Sequence, residues 1–203
     1  MADSSDNAPA INAFGQPVGF ALPDWAPPPF PPHKTLMGRY CHLEPLNAGR
    51  HAQELWTAQS DDPKGVAAYL RIVPSHGVIE IGHIYYSSQL AKTRAATEAM
   101  YLLADNAFKL GYRRYEWKCD SFNQPSRNAA ARLGFTCEGT FRQPIVYKGR
   151  NRDTSWLSII DVDWNRGLKS SFERWLEPSN FDGYGQQKLK LSELTAPFVH
   201  ATS

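Results

Sequence analysis

Along residues 92–110 the apolar side chains of Ala96, Met100, Leu103, Ala107 and Leu110 recur on one helical face, and Gly111 follows as a stop. That spacing predicts an amphipathic helix. Directly after it, Tyr115, Trp117 and Cys119 alternate with Arg114, Glu116 and Lys118, the period of a strand with one buried face. Upstream, "VAAYLRIV" and "GVIEIGHIYY" are rich in β-branched and aromatic residues and meet at Pro74, Ser75, His76 and Gly77, which predicts a hairpin. Gly82, inside the second of these strands, suggests a bulge or the close approach of another backbone.

"NQPSRNAAARLG" reads as a short helix. Pro125 suits its first turn, Ala129, Ala130 and Leu133 form a narrow apolar stripe, and Gly134 ends it. Nearer the start, "RYCHLEPL" predicts a strand running into a helix within "NAGRHAQELWTAQS", and "DDPKG" predicts a turn. Towards the end, "FTCEGTFRQPIVYKG" and "TSWLSIIDVDW" predict two antiparallel strands around a "GRNRD" turn, in which Arg152 and Asp153 read as a surface ion pair. Asp163 then caps a helix through Leu168, Phe172, Trp175 and Leu176 that Pro178 terminates. The order is strand, helix, hairpin, helix, strand, helix, two strands: an α/β fold with a mixed central sheet.

Length and composition narrow the picture further. A chain of 203 residues suits one domain with a real core. More than half of its 15 prolines fall in residues 1–35, so these read as a proline-rich N-terminal arm, followed by a domain over 36–180 and a tail over 181–203. A loosely packed leader and a docked peptide both remain open for the arm, since Phe14, Phe20, Trp25 and Phe30 offer apolar surface. The net charge of +2 is mixed along the chain, with no footprint for nucleic acid or an anionic membrane. No apolar run approaches the roughly 20 residues of a spanning helix, and the start lacks a secretory pattern. Three scattered cysteines, Cys41, Cys119 and Cys137, argue against a disulfide framework and for a reducing, cytoplasmic setting. The six histidines show no metal-ligand spacing, so no metal is expected.

Chemistry is expected in the centre of the chain, a strand-helix-strand-helix unit over residues 79–134. Two parallel strands joined by a crossover helix leave a ligand site beyond their carboxyl ends, where the helix N-terminus offers unpaired N–H groups to an anion. Lys92 and Arg94 stand at that N-terminus and Thr97 in its first turn, a reception site for a pyrophosphate. If the strands splay there, a ligand with its own amides can add to the exposed backbone. Asn123 at the end of the second strand, and Ser126 one turn into the next helix, would face the same gap.

The segments "IEIGHIYY", "TRAATEAMYLL", "EWKCDSFNQPSRNAAARLGFTCEG" and "GRNRDTSWLSIIDVDW" together resemble the GNAT superfamily of acetyl-CoA-dependent N-acetyltransferases, in its RimJ/RimL-like branch, over about residues 36–180. The resemblance implies a GNAT-like sheet with a splayed parallel pair and acetyl transfer to a primary amine, on a protein N-terminus or a small molecule. Acetyl-CoA would lie against Ile84, Tyr85, Lys92, Arg94, Ala95, Ala96, Thr97, Asn123 and Ser126. Glu80 is expected as the base for the amine and Ser126 as the partner of the departing thiolate. His83 and Tyr86 are expected on the acceptor side.

Two features depart from the family pattern. Its pyrophosphate turn carries glycines, whereas "AKTRAA" has Arg94 at a glycine position. The chain also lacks a family-typical helix and strand before residue 64. A second reading therefore stands beside the enzyme: a non-catalytic acyl-CoA-binding or interaction module.

Overall fold

The structure, a computed structural model, describes residues 10–57 and 64–200. Most of the expected "DDPKG" turn and the first nine residues of the arm lie outside the described residues. In chain order the elements are β1 (Ala10–Ile11), β2 (Pro17–Val18), β3 (Leu36–Met37), β4 (His42–Leu43), α1 (Ala48–Thr57), β5 (Gly65–Val73), β6 (Val78–Tyr86), α2 (Arg94–Lys109), β7 (Arg114–Asp120), α3 (Gln124–Arg132), β8 (Thr136–Tyr147) and β9 (Arg150–Ile160). Then come α4 (Asp161–Asp163), a π-type turn over Trp164–Leu168, α5 (Lys169–Leu176) and α6 (Leu191–Thr195).

Five strands form the central sheet in the order β5-β6-β7-β9-β8, and β6 with β7 is its parallel pair. The parallel arrangement follows from α2, which carries the chain from one end of β6 back to the start of β7. Thr93 opens α2 by accepting the Ala96 N–H at 3.1 Å, and Gly111, with φ of 98°, closes it. One face of the sheet, with Ile79, Ile81, Tyr115, Trp117, Leu157 and Ile159, joins a single core with side chains from α2, α3, α5 and α6. Side chains of the intervening positions, Glu80, Glu116, Lys118, Trp156 and Ser158 among them, share the opposite face.

The expected bulge is present. Ala68 pairs with Gly82 and Val66 with Tyr85, so His83 and Ile84 together oppose Ala67. His83 takes φ of 49°, and a Cβ on Gly82 would lie 2.6 Å from Leu70 Cδ1. The extra residue reverses the inside-outside alternation beyond Gly82.

Several boundaries differ from the sequence reading. Only His42 and Leu43 of "RYCHLEPL" are strand, because residues 39–41 give their N–H groups to the Glu98 carboxylate instead of a sheet. The β8–β9 turn is Lys148–Gly149, both at positive φ, and "RNRD" belongs to β9. Arg152 and Asp153 consequently point to opposite sides of a strand and do not pair; Asp153 accepts from Gln143 N and Asn151 Nδ2. Asp163 is not a cap. It lies inside the helical run that begins at Asp161, and its carboxylate binds Arg166 and His200, each at 3.0 Å. Beyond Phe181 the chain packs against the body, where Leu191 and Thr195 are fully buried. In the arm, Pro28 is buried and the Tyr112 hydroxyl donates to Pro29 O at 3.1 Å, so this part is docked.

Candidate active site

Pairing between β6 and β7 runs from Val78 with Arg114 to Glu80 with Glu116 and stops there. From Ile81 to Tyr86, β6 pairs with β5 alone, so its other edge is open towards the last residues of β7. The N-terminus of α2 stands beyond this gap. By helix geometry the N–H groups of Arg94 and Ala95 have no acceptor within α2. Lys92, exposed and at φ of 65°, precedes them.

Arg94 turns its side chain away from the first-turn amides. Its guanidinium lies 3.4 Å from the Phe181 ring centroid and 4.6 Å from that of Tyr40. Stacking against two aromatic faces favours a cation there. Thr97 is buried; its hydroxyl donates to Thr93 O at 3.3 Å and accepts from Arg132 at 3.2 Å, so it serves α2 itself. Burial holds the Arg132 guanidinium below its usual range. Ala96 is buried and Ala95 half-buried at the same turn.

Asn123 and Ser126 meet at the start of α3. Asn123 Oδ1 accepts the Ser126 N–H at 3.1 Å and so caps the helix. Ser126 Oγ in turn accepts the Trp117 indole N–H at 3.0 Å. An indole only donates, so the serine oxygen is fixed as the acceptor in that bond. Burial pushes the nearby Cys119 thiol up, against a hydrogen bond with Ser126 that lowers it.

Glu80 is 2% exposed and lies on the opposite face from these helices. Arg71 Nη1 donates to its Oε1 at 2.6 Å, and Lys118 Nζ stands 2.8 Å from its Oε2. Lys118 also reaches Glu116 at 2.7 Å, Arg114 bonds Glu116 at 2.6 Å, and Arg114 forks onto Glu138. Three cations and three carboxylates thus alternate in one chain across β5, β6, β7 and β8. The Arg114 fork is the main cause that lowers Glu138. For Glu116 burial works the other way, but hydrogen bonds from Lys118 and Arg114 prevail and its pKa is lowered.

Above Glu80 opens a cleft of about 630 Å³. Gly82 and His83 line it from β6, Phe141, Pro144 and Ile145 from β8, and Arg152, Thr154 and Trp156 from β9. Lys118 Nζ lies 3.8 Å from the Trp156 ring centroid. Of the acceptor-side expectations, His83 is on this cleft with Glu80. Tyr86 is not: past the bulge it falls on the core side, its hydroxyl 3.5 Å from Ala96 O. Burial, then neighbouring Cys41, pushes the Tyr86 phenol up. Ile84 packs on the core and Tyr85 is exposed.

Sequence reasoning missed Arg71, Lys118 and the β8–β9 wall. Lys118 was visible as one of the alternating polar positions of β7, yet nothing local marked it as the link between two carboxylates. Among the described residues no cluster of His, Cys, Asp or Glu is arranged to hold a metal.

A parallel pair that opens beside a helix N-terminus offers a free strand edge to an extended ligand and unpaired N–H groups to an anion. Residues 19–135 match the acetyltransferase (GNAT) family, and the chain belongs to that family. It is similar to the crystal structure of a GCN5-related N-acetyltransferase from Brucella melitensis, at 41% identity and TM-score 0.82, over 86% of this chain and all of that one. It is also similar to a GNAT-family acetyltransferase structure from Chromobacterium violaceum, at 34% identity and TM-score 0.66, over 71% of this chain and 95% of that one. No match was found among curated proteins. Acetyl-CoA-dependent acetyl transfer is the chemistry of the family.

Proposed function

We propose that the chain moves an acetyl group from acetyl-CoA directly to a primary amine, with residues 36–180 as the catalytic unit, in the cytoplasm. The observation that carries this reading is the end of β6–β7 pairing at Glu80 and Glu116, with a helix N-terminus across the gap. A ligand with amide groups fits an open strand edge, and a pyrophosphate fits unpaired helix N–H groups. In this reading the backbone at Ile84 and Tyr85 receives the pantetheine. The first turn of α2, from Arg94 to Thr97 with Lys92 before it, receives the pyrophosphate through its backbone. Asn123 donates to the pantetheine through Nδ2, since its Oδ1 is engaged as the cap.

The acceptor amine enters by the cleft, past His83. Its nitrogen attacks the thioester carbonyl, the C–S bond breaks, and the proton lost by nitrogen passes to Glu80. Arg71 is the partner that gives way, because its side chain is 59% exposed. Ser126 donates a hydrogen bond to the sulfur as charge develops there. The resemblance to the RimJ/RimL-like branch supports protein N-termini as acceptors, beside small amines.

The test is a thermal shift with acetyl-CoA and with CoA, followed by thiol release against an amine panel. Saturation at 100 times Kd stabilises by about 2.7 kcal/mol. Thiol release that needs an amine supports transfer. A shift without release by any amine or N-terminal peptide assigns an acyl-CoA-binding module instead.

A further inference from the structure

The charge chain below the cleft leaves one cation over. Arg71 and Lys118 are paired with Glu80 and Glu116, whereas Arg152 on the cleft wall has no carboxylate among the described residues. Its Nε is buried without a hydrogen-bond partner. Two residues along β9 and on the same face, Thr154 is 4% exposed and its hydroxyl is also buried without a partner. Buried polar atoms are rarely left unpaired, because each costs roughly 1–3 kcal/mol of desolvation. Two adjacent ones on the wall of a cleft point to a ligand that pairs with both.

Resting on the acetyl-transfer reading, we propose that Arg152 and Thr154 form a carboxylate subsite, and that the acceptors are amino-acid-like molecules with an apolar or aromatic side chain. A guanidinium fork and one hydroxyl match the two oxygens of a carboxylate, while a phosphate would need more donors than this wall provides. Phe141 and Trp156 stack beside the subsite with ring centroids 4.5 Å apart, and Phe141 is 53% exposed, which gives an apolar side chain a flat surface. Through Glu116, Glu80 is level with Ser158, so Thr154 and Arg152 stand four and six residues further along β9, about 13 and 20 Å, beside the open stretch of β6 and not beside Glu80 itself. A carboxylate held there leaves an amine a few bonds away directed to the gap at Gly82 and His83, which share the cleft with both residues.

The experiment is calorimetric titration of the full chain, with and without acetyl-CoA, using phenylalanine, phenylalaninamide, phenethylamine, phosphoethanolamine and a peptide that begins with phenylalanine. Phenylalanine is expected to bind at least tenfold more tightly than its amide, its decarboxylated analogue and the peptide. Arg152→Gln and Thr154→Val should each remove most of that preference while the acetyl-CoA thermal shift is kept; Arg152→Lys, which keeps the charge without the fork, should retain part of it. Equal binding of phenylalanine and phenethylamine, tighter binding of the phosphoamine or the peptide, or no binding of phenylalanine at millimolar concentration overturns the subsite. Loss of the acetyl-CoA shift in the unmodified chain overturns the transfer reading alone, since the titration without cofactor still measures the subsite.

Discussion

Ser126 Oγ accepts the indole N–H of Trp117 at 3.0 Å, which orients the hydroxyl so that its proton points elsewhere. A strand residue on the core face thereby sets the polarity of a residue in the first turn of α3.

Ser126→Ala is expected to lower kcat about tenfold with the KM for acetyl-CoA nearly unchanged, because a bond to the thiolate strengthens only as charge develops. Trp117→Phe should reproduce part of the loss by freeing the hydroxyl to rotate. Steady-state kinetics with acetyl-CoA varied decides it; full turnover in Ser126→Ala would leave the serine as a helix residue only.

The cap that Asn123 makes and the donation to the cofactor proposed for it can be separated by substitution. Asn123→Ala loses the cap, worth about 1 kcal/mol, as well as the amide donor, so both melting temperature and cofactor affinity should fall. Asn123→Asp keeps an oxygen for the Ser126 N–H but loses the donor, so it should hold its melting temperature while KM rises several-fold. A normal KM in the aspartate variant would remove Asn123 from the cofactor site.

Glu98 holds the first turn of the domain. Its Oε1 accepts from Arg39 N at 2.8 Å and its Oε2 from Tyr40 N and Cys41 N at 2.6 and 2.8 Å. Gln in its place sets an amide donor against a backbone donor, so Glu98→Gln should destabilise by about 1–3 kcal/mol. Denaturant unfolding measures this. Burial, then the Glu98 charge, pushes the Cys41 thiol up to about 12, so Cys41 should resist alkylation at pH 8 until the chain unfolds.

Arg94→Ala should cost stability of about 1 kcal/mol through its lost contacts with Phe181 and Tyr40. The acetyl-CoA KM should change by less than threefold, because the proposed contact is the backbone. A tenfold rise that disappears at high salt would assign the side chain to the phosphates.

The carboxylates of Glu138 and Glu116 are lowered in the folded chain, so they bind fewer protons there than in the unfolded chain. Their contribution to stability is complete above the ordinary carboxylate range and is lost as pH falls through the lowered folded values. Melting temperature should therefore drop from pH 5 downwards. Arg114→Gln, which removes the fork on Glu138, should flatten that slope and lower the plateau.

The sequence by itself determined the order of the elements around the parallel pair and the ends of α2 and α3. Period-two alternation marked β7, the 3.6-residue stripe marked α2, and Thr93, Asn123, Gly111 and Gly134 act within a few residues of their own positions. The expectation of an anion site before α2 is also local, since it needs only a helix N-terminus after a strand. Only the tertiary structure decided what each polar side chain does. Glu98 meets N–H groups 57 to 59 residues away, Arg94 stacks on Phe181 from the far end of the chain, and Glu80 is held by cations on β5 and β7. A bulge at His83 put Tyr86 on the core side, against the simple alternation. The physical reason is one of range: caps and periodicities act through bonds within a turn or two, whereas charge pairing and desolvation depend on which strands lie side by side.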